Sequence, residues 1–439
     1  MKKLLCTMMA VLCVGALVFA AGGKDQSAAG GKTKIILWHS MGGRNGEALE
    51  KLAKEFNSSQ EKIEIELQYQ GNYDDCIVKI KATPKGQGPD ILQLYDIGTR
   101  WAIDSGTTLK MQDFINRDKY NISDYEPNIL AYYTLDGELF SMPFNCSSPV
   151  IIYNKEALAA AKLDPKTAFA TMDAVLATSK ALAASNPNMH GSFTNYSWVF
   201  EQLVSIQDKD LLDNGNGRKS RATAVIAREP LLNIMTKLRA IYSDPSNVIF
   251  GKGTAESKNQ FATGSTLGYI IDSCSIYADS AAAAGGKFNL GFASIPKVNA
   301  GDTGGVSVGG GSLWLMDSGS DQKANAAWEF VKFVTGAEKQ AQWSMETGYL
   351  PIRRSSVDLP VYQDFTKNTN PELIVAIEAL RNSKPSCAGS VMGVFSKARV
   401  IIENEIETMA NNPSVTPQAV VDRIISQINE EITLYNRTN

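Results

Sequence analysis

Histidine is nearly missing from this chain: His39 and His190 are the only two among 439 residues. Neither stands at a metal-ligand spacing from another histidine, a cysteine or a carboxylate pair. Zinc sites and histidine-based acid–base catalysis therefore have almost no material, and no metal or cofactor is expected. Cysteine is also scarce. Cys6 and Cys13 fall in an N-terminal apolar stretch, while Cys76, Cys146, Cys274 and Cys387 lie far apart with no CxxC, which excludes zinc-ribbon and thioredoxin-type patterns. An excess of one charge is lacking too. The 43 Lys and Arg face 46 Asp and Glu, a net of −3, so nucleic acid is not an expected partner. After residue 20 no apolar stretch approaches the ~20 residues that a membrane span needs.

What the chain does have begins with "MKKLLCTMMAVLCVGALVFA", two lysines, an apolar run from Leu4 to Phe19, and Val18 and Ala20 at the positions a signal peptidase accepts. Residues 1–20 are read as a secretory signal. Its loss removes Lys2 and Lys3 and takes the net charge from −3 to −5. No cysteine follows small residues at the cleavage point, which speaks against a lipid anchor. The expected location is the periplasm, with a membrane tether through an unusual anchor left open. Export permits disulfides, although sequence does not pair the four remaining cysteines. "AGGKDQSAAGGK" (21–32) is Gly-, Ala- and Ser-rich without periodicity and is expected to be a flexible tether.

With 44% hydrophobic and 20% charged residues, the remainder is ordinary globular sequence, long enough for about two to three domains. "KTKIILWHS" reads as a strand, Leu49, Leu52, Ala53 and Phe56 of the next stretch recur at helical spacing, and "KIEIELQYQ" alternates as a half-buried strand does. Strand, helix, strand within about forty residues marks an α/β domain. "GPDILQLYDIG" adds a buried strand. From about Ser147 the texture changes to a strand, an alanine-rich helix stopped at Asp164-Pro165, and a second helix with Thr171 as N-cap. Short strands return after 268 and helices after 323. The expected architecture is two α/β lobes with a cleft between them. Residues 33–146 plus 268–322 are assigned to the first lobe, and 147–267 plus 323–439 to the second.

Catalytic motifs are few and incomplete. "GVSVG" around Ser307 matches the G-x-S-x-G elbow of secreted hydrolases, but that elbow needs a helix directly after the serine and a later histidine. Here a strand, "GGSLWLM", follows, and both histidines come earlier. "GGKT" (30–33) imitates the end of a phosphate-binding loop, yet the required first glycine falls on Gln26. "DKDLLDNGNGRKSR" (208–221) lacks the alternating acids of a calcium loop. A non-enzyme is expected.

The segments "ILWHSMGGRNGEALEKLAKEFN", "QGNYDD", "DILQLYDIGT", "MPFNCSSPVIIYNKEAL", "GGGSLWLM", "TGYLPIRRS" and "KARVIIENEIE" occur in the order and spacing of a known family. From about residue 34 to 437 the chain resembles the extracellular solute-binding proteins of ABC importers (family 1), and within them the sn-glycerol-3-phosphate-binding subgroup. The resemblance implies a periplasmic-binding-protein fold of the maltose-binding-protein type that closes over its ligand. It also implies ligand contacts at the positions matching Tyr73, Asp96, Ser147, Gly310, Tyr349 and Arg399, with Trp198 stacking on the ligand's carbon skeleton.

The chemistry of those residues is compatible. Arg399 offers a planar fork of donors suited to phosphate or carboxylate, Ser147 a hydroxyl, Gly310 a close backbone approach, and Tyr73, Tyr349 and Trp198 an apolar ring with a polar tip. Three positions depart from the subgroup. Asp96 stands for a glutamate, Asn195 for a second stacking tryptophan, and Asp272, in "GYIIDSCSIY", for a serine that donates to phosphate. The expected function is capture of glycerol-3-phosphate or a glycerophosphodiester and its delivery to an ABC permease. An uncharged sugar or polyol is the alternative, favoured by Asp96 and Asp272, and the chain is expected to act as a monomer.

Overall fold

The computed structural model describes residues 31–439; the signal sequence and all but the last two residues of the tether lie outside the described residues. Two sheets organise the chain. The first has six strands in the order Ile63–Tyr69, Thr33–His39, Ile91–Tyr95, Gly309–Met316, Thr108–Leu109, with Met142–Ser147 also paired to Gly309–Met316. Thr33–His39 runs parallel to both neighbours, whereas Gly309–Met316 is antiparallel to all of its own. The second sheet has four strands in the order Leu290–Ser294, Pro149–Asn154, Leu267–Ser273, His190–Gly191.

Local sequence accounts for much of this. The alternating strand Ile63–Tyr69 sits at an edge, with Ile63 and Ile65 buried and Glu64 exposed. Ile91–Tyr95, an uninterrupted apolar run but for Gln93, is buried along its whole length, as a strand covered on both faces must be. The helix Gly43–Ser59 buries Leu49, Leu52, Ala53 and Phe56, the four residues its spacing singles out. Thr171 caps the helix Met172–Ser185, accepting from the N–H of Ala174 at 3.1 Å. Asp164, instead of ending the preceding helix, caps a short new one at Pro165–Ala168.

Lobe membership differs from the sequence-based division in two places. Of residues 268–322, only Gly309–Met316 joins the first sheet; Leu267–Ser273 and Leu290–Ser294 pair on either side of Pro149–Asn154 in the second. A buried apolar strand carries no mark of which sheet receives it. Of residues 323–439, the helices Asp321–Val334 and Ala337–Thr347 pack on the first lobe, where Phe330 and Phe333 meet Phe56 edge-on at 5.2 and 5.3 Å. The helices Leu373–Arg381, Phe395–Asn411 and Pro417–Thr438 pack on the second. The chain thus crosses between lobes near 148, between 294 and 309, and again near 370. At the first crossing Ser148 alone separates a strand of one sheet from a strand of the other.

All four cysteines of the described residues are buried free thiols. No helix among those residues is long and apolar enough to cross a membrane.

Candidate functional site

The first-lobe wall is built on the carboxyl end of Ile91–Tyr95, where α/β sheets present ligand contacts. Asn72 and Asp75 form a capping box: the Asn72 side chain accepts from the Asp75 N–H at 2.9 Å, and Asp75 accepts from the Asn72 N–H at 3.2 Å. That box starts the helix Tyr73–Ala82 and places Tyr73 at its first position. The Tyr73 ring stacks on Tyr95 with centroids 5.0 Å apart and planes 11° apart. Its hydroxyl accepts from the Asn145 amide at 2.7 Å, and Asn145 Oδ1 accepts from Gln93 Nε2 at 2.8 Å. Two buried amides therefore fix one phenol. Tyr349 stacks on Trp343 (5.8 Å, 8°), and its phenol, raised above the usual tyrosine range by burial, interacts with Asn145, Ser275 and Tyr73.

Gly310 lies beside this wall with φ +93°, and a Cβ there would stand 2.0 Å from the Asn145 carbonyl oxygen. Its neighbour Gly309 leaves room for the Trp198 ring, since a Cβ would come within 2.3 Å of Trp198 Cζ2. The glycine run is thus required by the packing of the wall itself.

The second-lobe wall combines the helices Ser197–Ile206 and Phe395–Asn411. Ser197 ties them, its N–H and Oγ both donating to Glu403 Oε1 at 3.0 and 2.7 Å. Between them Arg399 donates from Nε and Nη2 to the two oxygens of Glu201, at 2.7 and 2.9 Å. The same Nη2 stands 3.6 Å from Asp96 Oδ2 of the first lobe, so one guanidinium joins acids of both lobes. Burial pushes the Glu201 carboxyl up to about 7 against the pull of Arg399, and burial likewise raises Asp96. Burial alone would lower Arg399, but Glu201 and Asp96 hold it above its ordinary range. A second link between the lobes is the 2.6 Å hydrogen bond of the Tyr95 and Ser396 hydroxyls.

A cleft of about 770 Å³ runs between these walls, lined by Tyr73, Tyr95 and Ile97 on one side and Tyr196, Ser197, Lys252, Arg399 and Glu403 on the other. Asp96 and Glu201 line a smaller cavity of about 20 Å³. Of the eight positions singled out by sequence, Tyr73 and Arg399 face the cleft and Asp96 the small cavity. Ser147, Trp198, Asp272 and Tyr349 are buried and Gly310 partly so.

Four of the sequence-flagged or adjoining residues carry buried polar atoms without partners. Asp272 Oδ1 accepts from the Ser273 N–H at 2.6 Å, but Oδ2 has no hydrogen bond, only Lys258 Nζ at 3.6 Å. Ser148 Oγ, Asn195 Oδ1 and Trp198 Nε1 are also buried without partners. These belong to adjoining segments: the Cys274 N–H donates to the Ser148 carbonyl at 3.0 Å, and Thr194 Oγ1 donates to the Ile271 carbonyl at 3.4 Å. Each such orphan costs about 1–3 kcal/mol.

Sequence reasoning missed Glu201. The signal it left was an acid inside the apolar run "WVFEQLV", where a helix buried on all sides has no place for an unpaired carboxylate. Ser307, the serine of the hydrolase-like motif, accepts from Gln202 Nε2 at 3.0 Å, and its N–H donates to Gln202 Oε1 at 2.8 Å. An amide cannot take the proton of a nucleophile. In the 208–221 loop, Asp208 is held by Lys384 and Ser386 and Asp213 by Thr223, and those contacts account for two of its three acids. His39 Nδ1 accepts from the Met41 N–H at 3.3 Å in the first lobe.

Comparison with known proteins gives concordant results. The family described as bacterial extracellular solute-binding protein matches residues 51–370. The sn-glycerol-3-phosphate-binding periplasmic protein UgpB of Yersinia pseudotuberculosis is 28% identical over 408 residues, covering 90% of this chain and 91% of its own. The crystal structure of UgpB from Mycobacterium tuberculosis in complex with glycerophosphocholine superposes with a TM-score of 0.76 at 21% identity, over 92% of this chain and all of the other. The sugar-binding protein MalE of Xanthomonas citri superposes with a TM-score of 0.73 at 18% identity, over 92% and 99%. The fold is the two-lobed, maltose-binding-protein-like one.

Proposed function

Because this chain belongs to the bacterial extracellular solute-binding proteins, we propose that it captures glycerol-3-phosphate or a glycerophosphodiester in its interlobe cleft and delivers it to an ABC permease. The observation that carries this reading is the Asp96–Arg399–Glu201 bridge, in which one guanidinium at the cleft meets acids of both lobes. A solute that meets groups of both lobes at once stabilises the closed form by its differential contacts with that form. In this reading Arg399 and Ser147 face the phosphoryl oxygens, Asp96 and Asp272 accept from hydroxyls, Gly310 leaves room for the solute, and Tyr73, Tyr349 and Trp198 enclose the carbon chain. The names of the similar glycerophosphate-binding proteins support the same ligand class.

A second reading, an uncharged sugar or polyol, is favoured by one specific fact: the guanidinium of Arg399 is already shared by two acids of low exposure, Glu201 and Asp96, and a third acid, Asp272, is buried. One panel separates the two. Isothermal titration with glycerol-3-phosphate, glycerophosphocholine, glycerol and maltose should give measurable heats for the phosphorylated compounds. Binding of maltose alone would replace the first reading by the second.

A further inference from the structure

We propose that Glu201 is a specificity-determining residue of the cleft: by occupying the Nε–Nη2 edge of Arg399, it favours phosphodiesters and uncharged polyols over dianionic phosphomonoesters. This rests on the reading of the cleft as a glycerophosphate site and refines which member of that class it takes.

The argument is geometric. An arginine binds a phosphomonoester most strongly through two parallel N–H donors on one edge. Here that edge is already closed by Glu201 at 2.7 and 2.9 Å, and Nη2 also faces Asp96 at 3.6 Å. Nη1 donates to no protein group among the described residues, so a ligand oxygen is left the Nη1–Nη2 end, where Nη2 already faces Asp96. Taking the fork would require expelling Glu201, whose buried carboxylate would then have no cation, an arrangement proteins do not sustain.

Charge points the same way. Three acids of low exposure, Asp96, Glu201 and Asp272, are paired only with Arg399 and the half-exposed Lys258. A dianion brings two negative charges toward these acids, whereas the phosphate of a diester brings one and a polyol none. Glu201 holds the central place because it is the acid that meets the guanidinium edge-on.

The titratable groups around Glu201 are few. Arg399 and Glu403 reach it from the helix Phe395–Asn411, Asp96 from the end of Ile91–Tyr95, and Tyr132 and Lys209 share its small cavity. Burial raises its carboxyl to about 7, so the share of the Arg399 charge that Glu201 offsets falls as pH drops through neutrality.

The test uses the mature chain and titration calorimetry. Wild type should bind glycerophosphocholine at least about tenfold more tightly than glycerol-3-phosphate, and Glu201→Gln should narrow or invert that ratio by a comparable factor. An unchanged ratio overturns the inference while the glycerophosphate reading stands. If wild type binds neither compound but Glu201→Gln acquires glycerol-3-phosphate, the inference stands and the earlier reading falls. If neither form binds either compound, both fall. A second measurement needs no variant: the diester keeps one charge between pH 6 and 8. Wild-type affinity for it should rise by up to about tenfold on going from pH 8 to 6 as Glu201 takes up a proton. A flat profile counts against the role, because a residue that only supports the fold would not produce the slope.

Discussion

Replacing Asp272 by serine isolates one charge in the proposed cleft. Asp272 ends a buried strand, has one oxygen without a hydrogen bond, and is neutralised only in part by Lys258 at 3.6 Å, a side chain that is 38% exposed. A phosphate oxygen about 4 Å away would be repelled by roughly 1 kcal/mol in water and about 4 at a protein-like dielectric. Because the exposed Lys258 offsets part of that field, a net of about 1–2 kcal/mol is the reasoned effect. Asp272→Ser should therefore tighten glycerol-3-phosphate by roughly five- to thirtyfold. Calorimetry on both proteins reads this directly, with glycerol as a neutral control whose affinity should move little. Ligand-free stability should rise as well, since a buried carboxylate oxygen without a donor is lost. A rise in melting temperature with no change in phosphate affinity would mean that Asp272 lies away from the ligand, and the electrostatic reasoning would be wrong.

Gly310→Ala puts a Cβ 2.0 Å from the Asn145 carbonyl at φ +93°, which combines strain with a backbone clash; a loss of about 3 kcal/mol or more is expected in denaturant melts. Tyr95→Phe removes the 2.6 Å hydrogen bond to Ser396 that joins the lobes. It should weaken ligand binding by about 0.5–1.5 kcal/mol and increase the radius of gyration of the ligand-free protein in small-angle scattering. Glu201 gives stability a definite pH slope. Its folded value, near 7, lies above the unfolded carboxyl, so the folded state holds a proton that the unfolded state releases. Its contribution is full below about pH 4.5 and is lost as pH rises toward 7, a loss of about 3 kcal/mol. Glu201→Gln should remove that slope from chemical denaturation curves taken between pH 5 and 8.

Periodic patterns made the local elements legible. Leu49, Leu52, Ala53 and Phe56 identify their own buried helix face, and Thr171 its own cap, because both signals act within a turn or two of chain. Pairing between sheets carries no comparable signal. "GYIIDS" and "GSLWLM" are both apolar strands of similar length, yet one joins Pro149–Asn154 and the other Ile91–Tyr95, a choice made by topology. The site divides along the same line. Tyr73 and Arg399 were legible from motif resemblance and line the cleft, but the acid that pairs with Arg399 lies 198 residues away on another helix. No spacing rule reaches that far, and a buried acid reveals its partner only when the helices are packed.

One of the unpartnered atoms, the Ser148 hydroxyl, lies at the lobe crossing. A strand that leaves one sheet and enters another after a single residue leaves that residue's polar groups outside both ladders, and Ser148 is that residue. Its carbonyl is satisfied by the Cys274 N–H, while its hydroxyl, fully buried, has no partner. A purely structural serine at such a point would be hydrogen-bonded or replaced by alanine, since an orphaned buried hydroxyl costs about 1–3 kcal/mol. Ser148→Ala therefore distinguishes the two roles by sign. If the hydroxyl waits for a solute, the variant should be more stable than wild type without ligand, by about 1 kcal/mol, and bind glycerophosphocholine more weakly by a similar amount. A structural hydroxyl would lower ligand-free stability when removed and leave affinity unchanged. Thermal melts with and without ligand on the same two proteins decide between these outcomes, because only the first makes the two effects oppose each other.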